Sequence, residues 1–116
     1  MIHQMKLRPR PFSQIADGSK TIELRLYDEK RQEIKIGDTI VFTSTGDPQQ
    51  SVKTRVTELH RFDSFTELYR NLPLLQCGYT SATIARAAPQ DMEAYYSVQQ
   101  QTQYGVLGIE MQLVTD

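Results

Sequence analysis

Gly18-Ser19-Lys20-Thr21-Ile22-Glu23-Leu24-Arg25-Leu26 is the stretch of this 116-residue chain on which the reading of the fold turns. Ile22, Leu24 and Leu26 share one parity, and Thr21, Glu23 and Arg25 share the other. A side-chain period of two with one apolar face is the pattern of a half-buried strand, so residues 20–26 are expected to form one, with Glu23 and Arg25 on its outer face. Upstream, Pro11 suits the first turn of a helix over residues 12–17 that turns Phe12, Ile15 and Ala16 inward. Gly18 suits the left-handed cap that ends it, where a Cβ would be costly.

Before that helix, Met5-Lys6-Leu7-Arg8-Pro9-Arg10 alternates apolar residues or proline with basic ones. An extended chain there puts Lys6, Arg8 and Arg10 on one side, and Pro9 and Pro11 suit an edge strand or loop. After the central strand come a charged turn over residues 27–32, a strand over 39–44 led in by Gly37-Asp38, a turn at Gly46-Asp47-Pro48 and a strand over 52–59. Ser64 and Glu67 have capping-box spacing, and Phe65, Leu68, Tyr69 and Leu72 then repeat at helical intervals as far as Pro73. Pro89, Asp91 and Glu93 mark the start of a further helix carrying Met92, Tyr95 and Tyr96. Residues 97–103 read as a Gln-rich polar loop, and residues 105–114 as a last strand with Val106, Leu107, Ile109, Met111 and Leu113 apolar. The expected architecture is α+β: one domain over residues 1–116, built as a small antiparallel β-barrel with flanking short helices.

Composition narrows the function classes. The 13 Lys and Arg nearly balance 14 Asp and Glu, which argues against a general nucleic-acid coat. The balance is uneven, however: residues 1–61 hold 11 of the bases and 8 of the acids, and the rest is acidic. Such a split can give a basic face. The single Cys77 excludes an intramolecular disulfide and a cysteine zinc cluster. The N-terminus lacks the apolar core of a secretory signal, and no run approaches the ~18 apolar residues of a membrane span. A cytoplasmic protein without a membrane, metal or cofactor is expected.

The candidate chemistry sits on the strand over residues 20–26. Glu23 and Arg25 heads lie about 6–7 Å apart along an extended chain, close enough to hold one polar ligand together. Arg25 offers a planar fork for phosphate or a base edge, and Glu23 can accept from an amine or act as a base. Lys20 has the parity of the apolar face and points to the mouth of the barrel, where desolvation would lower its pKa. The alternative is a solvated Glu23–Arg25 ion pair with Lys20 snorkelling at a strand end; from spacing alone this plainer reading is favoured.

The order Gly18-x-Lys20-x-x-Glu23-x-Arg25, a charged turn, Gly37-Asp38, then Met92, Tyr95-Tyr96-Ser97 and Tyr104-Gly105-Val106 resembles the ASCH domain, of the PUA-like superfamily. The resemblance implies a PUA-like β-barrel with flanking helices, a cleft lined by Lys20, Glu23 and Arg25, and RNA binding. One enzymatic branch of the family uses a Lys–Thr pair on an acetylated cytidine, but it has Thr where this chain has Glu23. Thr21 is expected to face away from Lys20, and a nucleophile needs its base within about 2.6–3.2 Å. Other members cleave RNA.

The chain is therefore expected to bind RNA, or a nucleotide or nucleoside, through Arg10, Lys20, Glu23 and Arg25. Tyr104, ahead of Tyr27, is the expected stacking ring. Asp28-Glu29-Lys30-Arg31 reads first as a solvated turn, and the resemblance adds a second role in which Lys30 and Arg31 position a phosphate at the cleft rim. The alternative is a hydrolase of a modified nucleoside or of RNA, with Lys20 and Glu23 as catalytic candidates; a protein-interaction module is a third reading. Tyr69 and Tyr95 fall on apolar helical stripes and read as core. His3 and His60 are isolated, and Cys77 reads as a small buried hydrophobe.

Overall fold

The computed structural model of the chain describes residues 1–114. Five strands form one curled sheet: β1 (Ile2–Leu7), β2 (Ile22–Leu26), β3 (Thr39–Ser44), β4 (Ser51–Phe62) and β5 (Val106–Leu113), in the spatial order β1-β3-β4-β5-β2. The helices are α1 (Pro9–Ala16), α2 (Phe65–Asn71) and α3 (Val98–Tyr104), joined by short 3₁₀ turns. This is the expected α+β, PUA-like arrangement of a curled barrel sheet with short helices around it. Its β1–β3 pair is parallel, whereas the other three pairs are antiparallel. No helix among the described residues is long and apolar enough to cross a membrane.

Two apolar clusters hold the sheet. Met5, Leu7, Phe12, Ile15, Ile40, Phe42, Val56, Leu107, Ile109 and Met111 fill the concave side, closed by α1. Ile22, Leu24, Leu26 and Val106 pack on the opposite side under Phe65, Leu68 and Cys77. Strand β5 is consequently buried on both faces, which explains its nearly continuous apolar sequence. Gly108 belongs to this packing: a Cβ there would lie 2.7 Å from Leu72 Cδ1.

This double coverage corrects the expected orientation of β2. Glu23 pairs across the sheet with Ile109 and Arg25 with Leu107, both members of the concave core. The charged residues therefore project inward, and Glu23 is only 4% exposed. The apolar parity faces α2 instead.

Three local expectations also differ. Pro9 starts α1 rather than extending β1, so Arg10 is helical and Lys6, Arg8 and Arg10 do not alternate along one strand. Residues 89–94 form a 3₁₀ turn, not an α-helix. The Gln-rich stretch forms α3: Ser97 Oγ accepts from the Gln100 amide at 3.1 Å while Gln100 Oε1 accepts from the Ser97 amide at 3.0 Å. That reciprocal cap nucleates a helix where composition alone suggested a loop.

Asp38, at the entry to β3, ties down the start of β1. It accepts from the Lys35 amide at 3.0 Å and the N-terminal ammonium at 3.3 Å, and bonds to His3 Nε2 at 2.8 Å. These bonds, His3 first, hold its carboxyl down from 3.8 to about 2. A depressed acid contributes stability above its unfolded value and loses it as pH falls through the folded one. Wild type should thus lose stability faster than Asp38→Asn as pH falls from 3.8 to about 2, read from urea midpoints. Parallel pH profiles would show that these bonds are not formed in solution.

Candidate functional site

The entry to β2 is built by a tight exit from α1. Gly18 takes the left-handed conformation at φ 85°, Asp17 Oδ1 accepts from the Ser19 amide at 2.8 Å, and the Lys20 amide donates to the Gln14 carbonyl at 3.0 Å. These bonds turn Lys20 back along the strand it precedes. Its ammonium reaches Glu23 Oε1 at 2.8 Å, and Arg25 Nε donates to Glu23 Oε2 at 2.8 Å. Each carboxylate oxygen thus has one cationic partner. Arg25 Nη2 then donates to the Lys6 carbonyl at 3.0 Å. β1 and β2 are the two edges of the curled sheet, so this one guanidinium bridges the gap between them.

The sequence suggested that Glu23 and Arg25 grip a ligand between them or stand as a solvated pair. Instead they grip each other, with Lys20, inside the fold. Burial alone would raise the Glu23 carboxyl; the charges and hydrogen bonds of Lys20 and Arg25 outweigh it and leave Glu23 below the usual carboxylate range. Burial likewise disfavours the charge on Arg25, but Glu23 overcomes it and raises the guanidinium pKa.

Above this triad opens a pocket of about 450 Å³, within the size range of small-molecule sites. Lys20, Glu23 and Arg25 are on one wall, and Lys6, Arg8 and Arg10 bring three more cations. With Glu23 and Asp91 as the only carboxylates among the lining residues, positive charge is in excess by three. The facing wall comes from α2, with Tyr69, and from the turns after it, with Tyr79, Met92, Tyr95 and Tyr96. Gly78, at φ 111°, lets this wall approach the triad; a Cβ there would meet Lys20 Cδ at 3.4 Å and Gln14 Oε1 at 3.3 Å.

The wall has a defined hydrogen-bond polarity. Tyr79 donates its hydroxyl proton to Asp91 Oδ2 at 2.7 Å, so in the 2.7 Å contact between Tyr69 and Tyr79 the proton comes from Tyr69. Both phenolic protons are therefore committed, which leaves the two oxygens acceptor capacity only. Tyr95 is different: its ring is 56% exposed, with the Arg8 guanidinium 5.2 Å from the centroid. That open ring can stack on a planar ligand under a cation.

The same groups are poorly suited to covalent chemistry. Burial raises the phenol of Tyr79, and its bonds to Tyr69 and Asp91 raise it further. Burial pushes the Cys77 thiol up to about 11, so it carries no thiolate at neutral pH. Thr21 Oγ1 donates to Gln76 Oε1 at 3.1 Å, away from Lys20, whose partner is Glu23.

Of the residues singled out from sequence, Arg10, Lys20, Glu23 and Arg25 come together at the pocket. Tyr104 does not: it packs against the second apolar cluster, and Tyr27 packs against the first, its ring 4.3 Å from the Arg61 guanidinium. Lys30 and Arg31 are not pocket residues either, and Arg31 pairs with Asp28 at 3.6 Å. The structure adds Arg8, Tyr79 and Asp91, moves Tyr95 from core to pocket wall, and sets Tyr69 both against the second apolar cluster and on that wall. Lys6 and Arg8 carried a signal in the basic alternation before α1. Tyr79 and Asp91 lie among 3₁₀ turns with no period to mark them.

Comparison with known proteins places this geometry in context. The ASCH domain model matches residues 5–115. The crystal structure of hypothetical protein PH0355 is similar at a TM-score of 0.80 and 30% identity, covering 98% of this chain and 100% of that one. Protein PF0455 from Pyrococcus furiosus, solved by NMR, has a TM-score of 0.73 and 29% identity over 100% of both chains. A mutant ASCH protein from Zymomonas mobilis shares the fold, with a TM-score of 0.68 at 12% identity over 98% of this chain and 73% of that chain. No curated protein matches the sequence.

Proposed function

This chain belongs to the ASCH domain family, and from that premise we propose that it binds single-stranded RNA, taking one nucleotide of the strand, or a free nucleotide, into the pocket above Lys20, Glu23 and Arg25. The observation that carries this reading is the pairing of two unlike walls: excess positive charge on one side and tyrosine rings on the other. A nucleotide has both complements, an anionic phosphate and a planar base. Arg8 and Arg10 meet the phosphate, and Tyr95 stacks on the base. The unused N–H groups of Lys20 and Arg25 donate to acceptors on the ligand. The remaining lone pairs of Glu23 accept from an exocyclic amine. The reading places the protein in the cytoplasm with its RNA.

Fluorescence anisotropy of short labelled RNAs at two salt concentrations, with wild type and Lys20→Ala compared, tests it. Each RNA is recovered for mass analysis. Salt-sensitive binding that Lys20→Ala weakens, with RNA of unchanged mass, is the expected result. A new mass that depends on Lys20 would replace binding by hydrolysis. No binding of RNA or nucleotide would remove the pocket as a nucleotide site.

Tyr95 allows a sharper check. Stacking contributes about 1–3 kcal/mol per base by alanine substitution, and the ring is exposed enough that its loss removes little packing. Tyr95→Ala should therefore weaken RNA by roughly that amount while leaving the urea midpoint within experimental error. Unchanged affinity would take Tyr95 out of the site.

A further inference from the structure

The pocket and the two apolar clusters leave the outward face of β1, β3 and β4 unassigned. On β1, β3 and β4 the outward residues fall in three cross-strand rows. Ile2 stands beside Thr39 and Arg55, Gln4 beside Val41 and Lys53, and Lys6 beside Thr43 and Ser51. None of these nine is buried, and none is acidic. The cations are Lys6, Lys53 and Arg55, and among the described residues none of them is in an ion pair. The neighbours are short or neutral, so the surface is positively charged with no acid to offset it.

Two features give this face direction. Lys6 belongs to it and to the pocket at once: its carbonyl receives Arg25 at the pocket wall, while its side chain stands in the outward row. At the far end, a register shift between Val56 and Glu58 brings Glu58 opposite Glu110, and the positive character stops there. From the strand and residue spacings, Lys53 lies about 12 Å diagonally from Lys6, and Arg55 about 6.7 Å beyond Lys53 along β4. The three cations thus form a line that starts at the pocket mouth.

We infer that the outward face of β1, β3 and β4 is a second binding site, a track on which Lys6, Lys53 and Arg55 hold the phosphates of the RNA strand flanking the nucleotide in the pocket. The inference rests on the pocket reading above. It makes affinity depend on length: a mononucleotide uses the pocket alone, whereas a longer strand uses pocket and track. Phosphate contacts of this kind position a strand without reading its sequence.

The test uses the double variant Lys53→Gln/Arg55→Gln, with a single-stranded RNA 12-mer and the four ribonucleoside 5′-monophosphates as probes. Circular dichroism and urea midpoints verify that the variant folds. Two lost phosphate contacts should lower the slope of log K against log salt by about 1.4 and the 12-mer affinity at 0.1 M salt by about 25-fold. Mononucleotide affinity should be unchanged. A folded variant with unaltered 12-mer affinity and slope overturns the track and leaves the pocket standing. Equal losses for 12-mer and mononucleotide also overturn it, because the cations would then act on the pocket. Failure of wild type to bind any probe overturns the pocket reading itself and the track with it.

Discussion

Glu23→Ala should lower the unfolding free energy by about 3–5 kcal/mol, because it leaves the Lys20 ammonium and the Arg25 guanidinium side by side inside the fold with no anion between them. Both side chains are largely buried, at 10% and 14% exposure, so water from the pocket replaces the carboxylate only in part. For a chain of this length the loss corresponds to roughly 12–20 °C in melting temperature. The Arg25 bridge between the two sheet edges should loosen at the same time, since Glu23 holds the Nε side of that guanidinium while the Lys6 carbonyl holds Nη2. Glu23→Gln keeps an acceptor but not the charge and should fall between wild type and the alanine variant. The pH dependence has a definite sign. Glu23 is held below its ordinary 4.5 in the folded protein, so its contribution is complete above that value and fades as pH falls through the folded pKa. Wild type and Glu23→Gln should therefore converge in stability as pH drops below 4.5. Urea unfolding across pH measures both effects; a cost below about 1 kcal/mol would mean that the triad is as weakly coupled as a surface pair.

Arg25→Lys is the second large expectation, and it falls on binding. The guanidinium makes two bonds in fixed directions, one along β2 to Glu23 and one across to the Lys6 carbonyl, and still has N–H groups for a ligand. A lysine ammonium at the same position cannot meet both partners with the same planar geometry. A charge-assisted hydrogen bond is worth about 1.5–3 kcal/mol, so RNA affinity should drop roughly 10- to 100-fold although the net charge is unchanged. Because the charge is preserved, the salt slope should change little. That separates a geometric role for Arg25 from a purely electrostatic one, in which Arg25→Lys would bind like wild type.

Much of this was legible in the chain. The alternation of Ile22, Leu24 and Leu26 against Glu23 and Arg25 marked β2, and Gly18 marked the turn that brings Lys20 to Glu23. Which face of β2 is inside was not legible, because alternation identifies two faces without saying what covers each. Here the apolar face is covered by α2 and the turn at Leu74–Cys77, and that coverage comes from residues some 40–50 positions later. Charged residues could then occupy the concave side only as a mutually satisfied triad.

The aromatic wall was harder to read for a different reason. Residues between α2 and α3 form three short 3₁₀ turns and their connections, which have no sustained period, so Tyr79 and Asp91 gave no signal of facing one site. Tyr69 and Tyr95 looked like core because helical spacing was assumed for both. Tyr69 does lie on α2, but Tyr95 follows a 3₁₀ turn, and its ring stays outside. Tyr104 closes α3 against the second cluster and lies outside the pocket lining. The α3 signal itself was present as Ser97-x-x-Gln100, a capping-box spacing masked by the polar composition around it.

In the proposed complex a nucleotide enters between the Lys20–Glu23–Arg25 triad and the tyrosine wall. The most direct test of that placement is a ¹H–¹⁵N chemical-shift titration of the protein with a short single-stranded RNA, and separately with ribonucleoside 5′-monophosphates. Both ligands should shift the amides of Lys20, Glu23, Gly78, Tyr95 and Tyr96, and the RNA should add shifts along Lys53 and Arg55. Binding that leaves those pocket amides unmoved and shifts another surface, such as the hollow lined by Asp63, Pro89 and Thr102, would contradict it.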